Sequence, residues 1–179
     1  MNDTLYALSK HIGERLLLRG WQVSTAESCT GGWIARCITD VAGSSQWFES
    51  GFVTYSNAAK QRMLNVPASC FDGPDAPGAV SIETVTAMAK GALIESGAQF
   101  AMATSGIAGP GGGSALKPVG TVWIAWAWSL NQAEASCITE QYSFAGDRNA
   151  VRLQSVEYAL LGLIRVLDEQ LKLHTNAVK

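Results

Sequence analysis

The sequence predicts a layered α/β/α domain on a mixed sheet of about five or six strands, spanning residues 1–179 as one unit. Three observations predict it. Segments with apolar residues at helical spacing alternate with short strand-like runs along most of the chain. The last two strand-like runs then follow one another directly, which sets an antiparallel pair beside a parallel part. The composition, 47% hydrophobic and 16% charged over 179 residues, suits a chain that buries a core.

Residues 4–18 read as a helix, with Leu5, Leu8, Ile12 and Leu16 at helical spacing and Gly20 just past the end. Residues 21–25 form a short strand, and a second helix opens at Ser28 and runs over 28–38. After the break at Gly43-Ser44-Ser45, residues 48–56 are strand-like and 58–64 a short helix. Residues 65–80 hold three prolines and two glycines and read as a surface loop. Ser81 caps a helix over 81–96 whose stripe is Val85, Met88, Ala89 and Ala92; Gly97 ends it, and Thr84 lies too far along to affect its start. A strand over 100–104 leads into the glycine-rich run 105–113. Residues 119–128 and 135–144 are strands joined by a turn around Asn131, and 147–173 is the closing helix, with Asp147 as its cap.

Bulk properties exclude several classes. Thirteen basic against fifteen acidic residues, a net charge of −2, gives no electrostatic case for nucleic acid. The longest apolar stretch, 119–128, is interrupted by Gly120 and Thr121 and falls short of the roughly 18 residues of a spanning helix. The start Met1-Asn2-Asp3-Thr4 lacks a basic n-region, so a cytoplasmic protein without membrane contact is expected. Cys29, Cys37, Cys70 and Cys137 form no CxxC pair and read as free thiols, with Cys29 and Cys37 on one helix face. With only His11 and His174, both expected on helix surfaces, no metal site is predicted. Among the tryptophans of 119–128, Trp126 and Trp128 share a strand face and Trp123 takes the other, as core or subunit contacts.

Four segments carry residues that a core does not need. In Thr25-Ala26-Glu27-Ser28-Cys29-Thr30-Gly31-Gly32 a hydroxyl follows a strand at a helix start, where outward amides stabilise an oxyanion. The plainer reading is that Ser28 is only an N-cap. In Tyr55-Ser56-Asn57-Ala58-Ala59-Lys60 the lysine lies about one turn into a helix. A free lysine is only roughly 0.04% neutral at pH 7, so a basic role requires burial; a solvated lysine is the alternative. The two segments gain force as a pair, because a serine hydroxyl needs a base. Tyr55 is placed to relay a proton or orient the serine. The run from Thr104 and Ser105 through Gly106 and Gly109 to Gly113 offers amides for an anion nest, although no Walker or GxGxxG pattern is present. Arg148 sits in the first turn of the closing helix, where a cation is unfavourable, so it faces either a bound anion or Asp40, Glu49 or Glu83.

Together these stretches resemble the CinA C-terminal domain family in its stand-alone, PncC-type nicotinamide-nucleotide amidase form. TAESCTGG, FESGFVTYSNAAK, GAVS, TSGIAGPGGG, KPVGTVW and FAGDRNAVR follow in that order from residue 25 to about 152. The resemblance implies hydrolysis of nicotinamide mononucleotide to nicotinate mononucleotide and ammonia without metal or organic cofactor, in a homodimer or higher homo-oligomer. It implies Ser28 as nucleophile, Lys60 as base and Tyr55 assisting. Gly31 and Gly32 would supply oxyanion amides, and Thr104, Ser105 and Arg148 would bind substrate or support the site, with the phosphate on the glycine loop. The proline-rich run PASCFDGPDAP, within 66–78, is longer than the family pattern and would alter the pocket rim or a subunit contact. Two other readings stand beside this one: a catalytically weak or inactive nucleotide-binding regulatory homologue, and a structural domain contacting partners through its tryptophan strand.

Overall fold

The computed structural model describes residues 3–130 and 134–176. A five-stranded mixed sheet runs in the order β2-β1-β3-β4-β5, formed by β1 (Val23–Glu27), β2 (Phe48–Val53), β3 (Phe100–Gly106), β4 (Thr121–Trp128) and β5 (Ser136–Ser143). β1 pairs in parallel with both β2 and β3, whereas β4 runs antiparallel to β3 and to β5. Helices α1 (Asp3–Leu17), α2 (Trp33–Thr39) and α5 (Arg148–Asn176) cover one face; α3 (Asn57–Leu64) and α4 (Ile82–Ser96) cover the other. The fold is therefore the α/β arrangement expected, with five strands. The turn expected around Asn131 lies outside the described residues.

Side-chain alternation builds the two halves of the core. Phe100, Met102, Val122, Ile124 and Trp126 point toward α1, α2 and α5. The intervening positions, Ala26, Ala101, Ala103, Ala125 and Ala127, point toward α4. Small residues on that face let α4 approach closely, since strand neighbours alternate between faces. The bulky face needs room elsewhere. Trp126 donates its indole N–H to the Ala159 carbonyl at 2.8 Å, and a Cβ at Gly162 would fall 2.1 Å from the same ring. Trp123 packs toward α4, on the opposite face from Trp126 and Trp128, as the strand period requires.

Several boundaries move, each for a local reason. β1 begins two residues later than expected and continues to Glu27, because Ser24, Thr25 and Glu27 are buried despite their polarity; Ser24 Oγ, for example, donates to the Ala92 carbonyl. β2 stops at Val53, so Tyr55 follows the strand and does not end it. The 65–80 segment is not wholly a surface loop: it contains a short 3-10 turn, Ala68–Cys70, and buries Val66 and Cys70 against α4. Thr84 does matter to the start of α4: its amide donates to Ser81 Oγ, and its hydroxyl donates to the Gly78 carbonyl. Asp147 caps α5 by accepting from the Ala150 amide. All four cysteines are free. Cys29 precedes α2 rather than lying on it, although it reaches the same core as Cys37. His11 is exposed, whereas His174 packs edge-on against Trp21 and is half-buried. No helix among the described residues is long and apolar enough to cross a membrane.

Candidate active site

The sheet topology gathers the chemistry at one edge. β1, β2 and β3 run in parallel, so the connections leaving their carboxyl ends meet there. β5 runs in the same direction as β3, which brings the start of α5 to that edge as well.

Ser28 directly follows β1, and Lys60 lies in the first turn of α3. α3 is capped by Ser56, whose hydroxyl accepts from the Ala59 amide. That cap turns the lysine back beneath the strand ends, where its side chain is only 1% exposed. Its Nζ lies 3.0 Å from Ser28 Oγ and donates to the carbonyls of Thr54 at 2.8 Å and Tyr55 at 3.3 Å. Burial lowers its pKa from 10.5 to about 8. A pKa near 8 leaves roughly a tenth of the amine neutral at pH 7, some two-hundredfold more than in a free lysine. The neutral amine has two N–H bonds and one lone pair. The two carbonyls accept the former, so the lone pair is left for the Ser28 hydroxyl. Burial pushes the Cys29 thiol up to about 12, which keeps it protonated beside the pair.

The turn carrying Ser28 is pinned from several sides. Its amide donates to the Thr104 carbonyl at 3.0 Å, and the Gly31 amide donates back to the Ser28 carbonyl at 3.1 Å. Thr30 and Thr104 join hydroxyls at 2.8 Å. Contrary to expectation, α2 does not open at Ser28: it begins at Trp33 behind a Gly32 cap position with φ 89°. Gly32 has no capping side chain, and Glu27 replaces one from upstream. Its fully buried carboxylate reaches across the turn and accepts from the Ile34 amide at 3.1 Å and the Ala35 amide at 2.8 Å. Ser28 is thus no N-cap.

Glu27 went unassigned in the sequence, although an acidic residue inside a buried strand just before a turn was the available signal. Glu27→Gln puts an amide group in place of one accepting oxygen. It is expected to lower the unfolding free energy by roughly 1–3 kcal/mol. Urea denaturation should show a lower midpoint at unchanged slope; an unmoved midpoint would deny the staple across the turn.

Ser28, Lys60, Tyr55, Ser105, Gly106 and Arg148 line a cleft of about 220 Å³, walled on one side by Ala79 and Val80. The Ser105 hydroxyl donates to the Ala79 carbonyl at 2.6 Å and so fixes that wall rather than facing a ligand freely. Arg148 finds none of Asp40, Glu49 or Glu83. Its guanidinium donates to the Gly109 carbonyl at 2.8 Å and to the Tyr55 hydroxyl at 3.1 Å. The Tyr55 hydroxyl is therefore tied to Arg148, and the residue touches Lys60 only through its backbone carbonyl. Gly31, Gly32, Thr104 and Gly109 do not line the cleft; Thr104 braces the Ser28 turn and Gly109 holds Arg148. An adjoining cavity of about 470 Å³ shares Ala108 and Arg148 and adds Pro110, Asn149 and Arg152.

Arg152 is a second residue that sequence reasoning left out. Its Nε donates to the Cys29 carbonyl at 3.1 Å and its Nη2 to the Thr30 carbonyl at 2.8 Å. The signal was present, since residues four apart share a helix face and Arg148 had been singled out.

Comparison with known proteins places this geometry in context. The family model described as CinA C-terminal domain matches residues 5–167. A protein from Pseudomonas putida named nicotinamide-nucleotide amidohydrolase PncC is 52% identical over 167 residues, covering 93% of this chain and 99% of the relative. One of the same name from Escherichia coli K12 is 53% identical over 161 residues, covering 89% and 93%. The crystal structure of a competence/damage inducible protein, CihA, from Agrobacterium tumefaciens superposes with a TM-score of 0.83 at 42% identity, covering 92% of this chain and 96% of that one.

Proposed function

This chain belongs to the CinA C-terminal domain family, and we propose that it is a nicotinamide-nucleotide amidohydrolase that converts nicotinamide mononucleotide and water to nicotinate mononucleotide and ammonia. The observation that carries the proposal is the 3.0 Å contact between Ser28 and a buried Lys60 at the base of an open cleft. Neutral Lys60 takes the Ser28 proton as Oγ attacks the carboxamide carbon. The resulting ammonium returns that proton to the departing nitrogen, and ammonia leaves a nicotinoyl ester on Ser28. Lys60, neutral again, then deprotonates a water that attacks the ester and passes that proton to the departing Ser28 Oγ, which releases nicotinate mononucleotide and restores the starting pair. Since the Gly31 amide already donates to the Ser28 carbonyl, the oxyanion falls to the Cys29 amide, the donor next to the nucleophile. Arg148 at the cleft rim and the adjoining cavity suit the phosphoribosyl part of the substrate.

Tyr55 assists by orienting Arg148, its hydroxyl partner. Ser105 and Gly106 bound the pyridine side, while Gly31, Gly32, Thr104 and Gly109 support the site from behind. In this reading the enzyme is cytoplasmic and works as a homo-oligomer. The test is ammonia release by purified protein from nicotinamide mononucleotide, nicotinamide riboside and free nicotinamide in parallel. Turnover is expected to be highest on the mononucleotide. A thermal shift on nucleotide addition without ammonia release would instead identify a regulatory binding module.

A further inference from the structure

The last residue of the FAGDRNAVR motif has no role in the reaction as described, yet its guanidinium grips the nucleophile turn. Arg152 is half-buried, one helical turn after Arg148, with its guanidinium carbon 5.3 Å from the Trp33 ring centroid. Its forked donors hold two successive carbonyls, those of Cys29 and Thr30. In a trans peptide the N–H points opposite to the C=O of the same unit. Holding the Thr30 carbonyl therefore aims the Gly31 amide the other way, and that amide donates to the Ser28 carbonyl. Accepting there aims the Cys29 amide away from Gly31 in turn, and Cys29 is among the residues that line the cleft. Two peptide units thus link the cation to the amide beside Ser28 Oγ, and hydrogen bonds in such a chain polarise one another in the same sense.

We infer that Arg152 is a positioning residue that orients and polarises the Cys29 amide as the oxyanion donor of the reaction. The inference rests on the amidase reading but can be separated from it. Arg152 also lines the adjoining cavity, so the split between kcat and KM decides its role: a positioning residue acts on the transition state, a phosphate ligand on substrate affinity. Arg152→Met keeps an apolar stem against Trp33 and removes the fork; Arg152→Lys keeps the charge but cannot hold both carbonyls in the same planar geometry.

The experiment measures kcat and KM on nicotinamide mononucleotide, the pH profile, and the rate at which a fluorophosphonate probe labels Ser28. Arg152→Met is expected to lower kcat about a hundredfold, within the range seen when one oxyanion donor is lost. KM should stay within about threefold, the midpoint near pH 8 should not move, and labelling should slow in proportion. Arg152→Lys should recover part of the rate. A KM rise of tenfold or more at parental kcat would assign Arg152 to the substrate phosphate and overturn the inference. Parental labelling in Arg152→Met would overturn it too. If Arg152→Met fails to fold, Arg152→Lys decides: a tenfold lower kcat at parental KM supports the role and parental kcat overturns it. If the parent labels at Ser28 but releases no ammonia, the amidase reading fails and the labelling ratio still tests Arg152. If the parent does not label at all, there is no activated hydroxyl to position, and the inference falls.

Discussion

Ser28→Ala is expected to leave a folded protein that releases ammonia from nicotinamide mononucleotide at less than about a thousandth of the parental rate. Removing a nucleophile typically costs three to six orders of magnitude, and what remains comes from binding and the oxyanion site. The fold should survive because the backbone of Ser28 performs the structural work: its amide donates to Thr104 and its carbonyl accepts from Gly31. The hydroxyl contributes a single contact, to Lys60. Its loss should change stability by no more than about 1 kcal/mol. Thermal unfolding measured alongside ammonia release separates the two effects. Near-parental turnover in a folded Ser28→Ala variant would exclude the covalent route.

Lys60→Arg and Lys60→Met are expected to fall nearly as far, for different reasons. A guanidinium stays protonated and cannot take the serine proton, while methionine has no basic nitrogen. The parental enzyme should show the lysine in its pH profile. In the proposed mechanism the neutral form is the base, and burial lowers the folded pKa from 10.5 to about 8. kcat/KM should therefore rise about tenfold per pH unit below that midpoint and level off above it. A profile rising toward pH 10.5 would mean the lysine is solvated during turnover. Stability is linked with the same sign. Between pH 8 and 10.5 the unfolded chain binds a proton that the folded chain has lost, so the parent gains stability as pH rises across that window. Below pH 8 the cost of burying the charge is fully present. Lys60→Met lacks the titrating group, so urea midpoints followed against pH should lose that rise.

The elements easiest to read were those whose packing matches their period. The stripe of α4, the alternation of β4 and the Asp147 cap of α5 follow directly from spacing. β1 was harder, because a strand with neighbours on both sides and helices on both faces buries Ser24, Thr25 and Glu27, and their polarity reads as exposure. The start of α2 was misplaced for a related reason: its cap comes from Glu27, five residues before Gly32 (a distance no local capping rule covers). Ser28 and Lys60 could be paired from chemistry alone, since each needs the other. Tyr55 and Arg148 also reach the cleft, but joined to one another in a way that depends on β2 and α5 meeting at one edge. Gly31, Gly32, Gly109 and Thr104 follow the opposite pattern, near the site by sequence motif yet outside the lining of the cleft, which Gly106 alone of the expected glycines joins. Arg152 depends wholly on the third dimension, because its partners are carbonyls far away along the chain.

Ser28 and Lys60 stand only 32 residues apart, on one continuous β1-α2-β2-α3 stretch. The wall at Ala79 and Val80, the floor at Ser105 and Gly106 and the rim at Arg148 come from three later stretches. In the proposed mechanism the reacting pair and most of the cleft wall are therefore carried by different parts of the chain, with Thr104 and Arg152 bracing the Ser28 turn from the later part. On that proposal the pair can stay fixed while the enclosing stretches diverge, and a lineage can change which carboxamide it accepts without rebuilding the Ser28–Lys60 contact.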